Sequence, residues 1–228
     1  MQEIKTGIIR FPGSNCDFDT LKYFQKDPVF GPEFIWYKDR VFKKYDLYVL
    51  PGGFAFGDRY YVEATGEYEH NPGKMAKSAP VMETIHRAAM LGLPILGICN
   101  GFQILAHAGL LPGSLEKNAS GKFYCDFTNC RVEGRSFFGD RTLLGRSFNI
   151  PVAHGYGRYV VDDKKYQEME KNSQVFLKYL GFNPNGSSHD IAGVCNKEGN
   201  IFGMMPHPER SPDGQLFLEA FKKYILQL

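Results

Sequence analysis

Short apolar runs alternate with polar, helix-compatible stretches through the first half of the chain. Thr6-Gly7-Ile8-Ile9-Arg10, Phe34-Ile35-Trp36-Tyr37, Leu47-Tyr48-Val49-Leu50 and Pro94-Ile95-Leu96-Gly97-Ile98 read as strands. Runs this short and this apolar suit a sheet covered on both faces. Between them the pattern predicts a helix through Leu21-Lys22-Tyr23-Phe24, with Asp17 able to cap it. A second helix is expected from Pro80 to Leu91, with Val81, Ile85, Ala88 and Ala89 on one face. Pro80 falls in the first turn, where its missing N–H costs nothing. A helix-like segment from Phe102 to Ala108 follows the fourth strand. Strands alternating with helices imply parallel pairing, and hence an α/β fold: a three-layer sandwich around a mostly parallel central sheet.

The second half is richer in strands. Lys122 to Val132 and Phe148 to Ala153 read as two of them, and Ile191–Cys195 with Asn200–Met204 as a hairpin across Asn196-Lys197-Glu198-Gly199. A final helix from Gln215 to Leu226 puts Leu216, Phe217, Ala220, Phe221, Tyr224 and Ile225 on one stripe, which reads as core packing. The segment from Tyr60 to Gly73 is polar and irregular and is expected as an exposed loop. Internal repeats and long linkers are absent, so residues 1–228 are expected to form one domain.

Composition narrows the function classes. A net charge of +2 without a Lys/Arg cluster gives no footprint for nucleic acid. No apolar run approaches the ~20 residues of a membrane span, and no signal-peptide core follows Met1. The five cysteines (Cys16, Cys99, Cys125, Cys130 and Cys195) are an odd set with no C-x-x-C pair. That suits free thiols in a reducing, cytoplasmic compartment. Cys125 and Cys130 have no nearby His pair, so they are expected to pack in a strand and no metal site is expected.

Candidate chemistry centres on Gly97-Ile98-Cys99-Asn100-Gly101. Glycines flanking a nucleophile between strand and helix form a sharp elbow that presents the side chain upward. The helix N-terminus beneath it favours a thiolate. Downstream, Pro206-His207-Pro208-Glu209 sets an imidazole two residues from a carboxylate, and in extended chain the two share a face. A cysteine with a distant His–carboxylate pair is the constellation of thiol nucleophilic catalysis. Pro51-Gly52-Gly53-Phe54 ends another strand, and the Gly53 and Asn100 amides are candidate donors to an oxyanion. A buried cysteine, a loop histidine and a plain turn are the plainer readings of each piece taken alone.

Together these residues resemble the class I (triad) glutamine amidotransferases. Pro12-Gly13-Ser14-Asn15-Cys16-Asp17, Pro51-Gly52-Gly53-Phe54, Pro151-Val152-Ala153-His154-Gly155 and Gly203-Met204-Met205-Pro206-His207-Pro208-Glu209-Arg210 are similar to the glutaminase subunits of phosphoribosylformylglycinamidine synthase, in the same order. The resemblance runs from about residue 4 to the C-terminus and implies a flavodoxin-like fold. It makes Cys99 the nucleophile, His207 the general base and acid, and Glu209 its orienting carboxylate. Gly53 and Asn100 would supply oxyanion N–H groups. Gln103 and the backbone of Gly155 and Tyr156 would hold the glutamine head group. The resemblance further implies that ammonia passes to a large synthetase subunit using ATP and magnesium, with a small accessory subunit, in purine biosynthesis. No cofactor is implied on this chain, which lacks G-x-x-x-x-G-K-[ST]. The family has an acidic residue where Tyr156 stands, and residues 60–78 depart from its pattern. A cysteine peptidase and a non-catalytic binding subunit are the rival readings; the distant Pro-His-Pro-Glu and the intact Cys99, His207 and Glu209 weigh against them.

Overall fold

The computed structural model describes residues 3–40, 42–134 and 141–227. The first strand, β1 (Ile4–Arg10), leads through α1 (Asp17–Phe24) to β2 (Phe30–Trp36), and β3 (Leu47–Leu50) follows. A small hairpin, β4 (Arg59–Val62) and β5 (Glu67–His70), precedes α2 (Val81–Met90), β6 (Ile95–Ile98) and α3 (Asn100–His107). The second half runs β7 (Ser114–Glu116), β8 (Tyr124–Val132), β9 (Ser147–His154), β10 (Arg158–Val160) and α4 (Asp163–Lys171). It closes with β11 (Val175–Tyr179), β12 (Ile191–Cys195), β13 (Ile201–Met204) and α5 (Gly214–Ile225).

Nine strands form one sheet in the order β2-β1-β3-β6-β13-β12-β11-β8-β9. From β2 to β13 the neighbours are parallel; from β13 to β9 they are antiparallel. The central parallel strands carry no hydrophobic alternation: β3, β6 and β13 are buried at every residue, as strands covered on both faces are. The chain leaves β1 in one direction to β2 and later runs in the other from β3 to β6. Right-handed crossovers therefore send α1 and α2 to opposite faces. α5 joins the α1 face: Phe221 packs on Phe24, and the Tyr23 hydroxyl donates to the Gly214 carbonyl at 2.6 Å. The reversal between β1 and β3 opens a crevice at the strands' carboxyl ends, where ligands bind in such sheets.

Three expectations are corrected. The 60–73 segment contains the β4–β5 hairpin, in which Tyr61 lies opposite Tyr68. Its alternation is hidden because nearly every residue is exposed, so no apolar face marks it. Asp17 does not cap α1; Cys16 occupies the cap position, and the Asp17 carboxylate pairs with Arg10 at 2.6 Å. Cys130 is buried, but Cys125 is exposed, because the register of β8 turns it outward. Among the described residues no helix is long and apolar enough to cross a membrane.

Candidate active site

Cys99 occupies the single position between β6 and α3, with φ 51° and ψ −105°. A non-glycine residue held there costs on the order of 1–3 kcal/mol, which the surrounding packing must hold in place. The elbow closes only because its glycines lack side chains. A Cβ at Gly101 would lie 1.9 Å from the Leu50 carbonyl oxygen, and one at Gly97 2.7 Å from the Gly101 backbone. The Cys99 amide donates to Met204 at 2.7 Å, and its thiol faces the Ala153 carbonyl at 3.8 Å.

His207 follows β13 by three residues and is anchored by its amide, which donates to Pro151 at 2.9 Å. Its Nδ1 lies 2.7 Å from Glu209 Oε1, and both side chains are buried. The pairing comes from a one-turn helix, Pro208–Arg210, and not from the extended chain expected from the flanking prolines. Burial alone would push the imidazole pKa down; the Glu209 carboxylate and the Cys99 sulfur outweigh it and hold His207 well above its ordinary value. With Nδ1 committed to Glu209, Nε2 makes no hydrogen bond among the described residues and is free to exchange a proton.

Of the expected oxyanion donors, Gly53 lines the same cavity as Cys99, and Asn100 is the next residue in the chain. Gly53 has φ 137°, and a side chain there would run into the Asn15 amide and the Gly13 carbonyl at 2.5 and 2.6 Å. Asn100 is the first residue of α3, whose amide has no helical acceptor. The Asn100 side chain is tied down: Oδ1 accepts from Ala55 N at 3.0 Å, and Nδ2 donates to Gln103 Oε1 at 2.8 Å and Asp58 Oδ1 at 3.2 Å. Gln103 in turn donates to the Tyr156 carbonyl at 2.7 Å. Cys99, Gly53, Gln103, Gly155 and Tyr156 all line one cavity of about 170 Å³. The geometry thus gathers a thiol and a buried imidazole–carboxylate pair beside a cavity that Gly53 also lines; a thiol next to such a pair can carry out nucleophilic acyl transfer.

Sequence reasoning missed four neighbours. Asp58 lines the same cavity, and burial pushes its carboxyl up to about 7, against a hydrogen bond from Asn100. Its only signal is its place after Gly57 at the end of the strand turn. Burial, reinforced by the charge of His207, pushes His154 down to about 4; Asn118 donates to its carbonyl at 2.9 Å, and its Nε2 lies 3.5 Å from Asn185 Nδ2. Cys16 and Arg210 lie behind His207. Among the described residues Cys16, His207 and Glu209 bring metal-ligand atoms within 4.8 Å of one another. Part of that set is already engaged: Arg210 donates to the Cys16 sulfur at 3.1 Å, and Glu209 Oε1 holds His207 Nδ1.

Residues 3–216 match the family of CobB/CobQ-like glutamine amidotransferase domains. The chain is 43% identical over 219 residues to phosphoribosylformylglycinamidine synthase subunit PurQ of Aquifex aeolicus, covering 92% of each chain. It is 41% identical over 230 residues to the same subunit of Alkaliphilus metalliredigens, covering 97% of each. A chain in the structure of PurLQS from Thermotoga maritima superposes with a TM-score of 0.81 at 37% identity, covering 100% of this chain and 99% of that one.

Proposed function

Given that the chain belongs to the PurQ subunits of phosphoribosylformylglycinamidine synthase, the glutamine amidotransferase component of an enzyme of purine biosynthesis, we propose that Cys99, His207 and Glu209 hydrolyse the glutamine side-chain amide through a γ-glutamyl thioester. The Cys99 thiolate attacks the amide carbon, and negative charge gathers on its oxygen beside the Gly53 and Asn100 amides. The C–N bond breaks as the His207 imidazolium delivers a proton from Nε2 to the leaving ammonia. Water then attacks the thioester and gives its proton to His207, and glutamate leaves with the thiolate restored. Glu209 holds Nδ1 and the positive charge throughout, as an orienting carboxylate does. Gln103, Gly155 and Tyr156 shape the head-group end of the cavity.

The observation that carries this reading is the buried His207–Glu209 pair, 2.7 Å across, beside a cysteine held at positive φ. In this reading the whole chain is one cytoplasmic domain. Ammonia is consumed on a large synthetase subunit that uses ATP and magnesium, assisted by a small accessory subunit. The test is Cys99→Ala reconstituted with the synthetase. Glutamine-dependent synthesis is expected to vanish while ammonia-dependent synthesis persists. Retained glutamine use would refute the nucleophile.

A further inference from the structure

The cavity beside Cys99 is lined by two ionisable groups, Asp58 and Lys117, that no oppositely charged side chain pairs among the described residues. Asp58 is 6% exposed, yet among the described residues no lysine, arginine or histidine pairs with its carboxylate. Among the described residues its one side-chain partner is the neutral Asn100 amide on Oδ1. The cost of a buried carboxylate is relieved by a cation, and none is present. Lys117 lines the same cavity and makes no ion pair among the described residues. The backbone around Asp58 is built to put it there. Phe56, Gly57 and Asp58 all have positive φ, between 56° and 68°, and the Asp58 carbonyl accepts from Asn71 at 2.7 Å. Such a left-handed run is disfavoured for phenylalanine and aspartate and persists only where the surroundings impose it.

We propose that Asp58 binds the α-ammonium of the substrate glutamine and Lys117 its α-carboxylate, so that the pair selects a free amino acid over other carboxamides. The proposal rests on the glutaminase reading of the site and deepens it. A substrate whose amide carbon sits at the Cys99 sulfur extends into this one cavity. Its zwitterionic end must be matched there by an acceptor and a cation. Asp58 and Lys117 are the unpaired groups of those signs on the cavity wall. The ligand's ammonium then supplies the partner the buried carboxylate lacks, and charge-assisted hydrogen bonds are the strong ones. Asp58 is also bonded to Asn100, so a role confined to steadying the oxyanion donor must be distinguished. Loss of ground-state and transition-state binding alike raises KM with little change in kcat, whereas a disturbed oxyanion donor lowers kcat.

The experiment uses the full chain reconstituted with its synthetase, comparing L-glutamine with glutaramate, which has hydrogen in place of the ammonium, and with L-glutaminamide, which lacks the carboxylate. For Asp58→Asn, KM for glutamine is expected to rise about tenfold or more with kcat held within about threefold, and the preference for glutamine over glutaramate to shrink by a similar factor. For Lys117→Met, at an exposed position, the preference over L-glutaminamide is expected to shrink instead. Unchanged analogue preferences in either variant overturn the assignment of that residue, as does a fall in kcat at constant KM for Asp58→Asn. Should Asp58→Asn fail to fold, Asp58→Glu supplies the same comparison, and the Lys117 arm stands alone. A parent complex that uses no glutamine would sink the glutaminase reading itself, and this inference with it.

Discussion

Ile98 pairs with Met204 in the parallel ladder, and the next amide, that of Cys99, donates to the Met204 carbonyl at 2.7 Å. Cys99 and His207 lie 108 residues apart in the chain (207 − 99), yet their strands are neighbours, and each residue stands just past its strand's carboxyl end. The sheet register, more than any contact between the two side chains, sets the distance between sulfur and imidazole.

That register depends on α3 seating against β3, which gives a first prediction. By helix propensity alone, Gly101→Ala would stabilise α3 by about 1 kcal/mol. Here the new methyl would sit 1.9 Å from a backbone carbonyl, that of Leu50, which cannot rotate away as a side chain could. Overpacking of this kind costs about 1–3 kcal/mol or more. Gly101→Ala is therefore expected to lower stability by about 2 kcal/mol in urea unfolding and to impair glutamine use. A gain in stability would show that α3 does not rest on Leu50.

How much of this could be seen in the chain beforehand follows from the range of the interactions. The elbow at Cys99 was legible because its glycines and nucleophile are five consecutive residues with a local steric purpose. His207 and Glu209 were legible for the same reason, although the turn that pairs them was not, since proline permits both extended and helical φ. Asp58 carried little signal beyond its place after Gly57: its burial and its bond to Asn100 bring together residues 42 apart in sequence. The β4–β5 hairpin was silent because it buries no face, so no apolar alternation betrays it. α4 and β11 went unnoticed as well. Only Met169 of α4 is buried, and β11 is buried at four of five positions, leaving no alternation to read.

Glu209→Gln should separate charge from shape. Burial disfavours a charged imidazole, and the Glu209 carboxylate is the leading influence that overcomes it. Because the native pKa of His207 lies above its unfolded value, the stabilisation it brings is complete below about 6.5 and is lost as pH rises through the native pKa. Glutamine, isosteric but neutral, removes that support. The glutamine-dependent rate is expected to fall by about 10²–10⁴, with its alkaline limb displaced to lower pH. A pH profile of the reconstituted complex measures both. An alkaline limb that does not move would assign it to a group other than His207.

Lys222 ties α5 to the turn after α1, donating to Asp27 at 2.8 Å. That hydrogen bond, against a smaller penalty from burial, holds the Asp27 carboxyl below its ordinary value. The sign follows: a lowered native pKa adds stability above the unfolded value near 3.9, and the gain is lost as pH falls through the native one. The pair is partly solvated, so its worth is about 1 kcal/mol. Lys222→Met is expected to cost about that much at pH 7 and nothing at pH 2, read by thermal or urea unfolding at each pH. An equal loss at both pH values would assign the effect to packing of the lysine stem instead.

Asp58 makes the opposite prediction, and it can be read without substrate. Its carboxyl is pushed up to about 7 by burial, so the native state holds a proton that the unfolded chain releases near 3.9. The stability this proton carries is complete below about 3.9 and drains away as pH rises through about 7, by about 4 kcal/mol at most. The amide introduced by Asp58→Asn would be neutral at every pH while still offering Asn100 an acceptor oxygen. The free Asp58→Asn protein is thus expected to match the parent near pH 4 and to be the more stable of the two at pH 8, by thermal unfolding without glutamine. Equal stability at pH 8 would mean that a cation already compensates the carboxylate in the free protein, leaving no charge for a ligand's ammonium to satisfy.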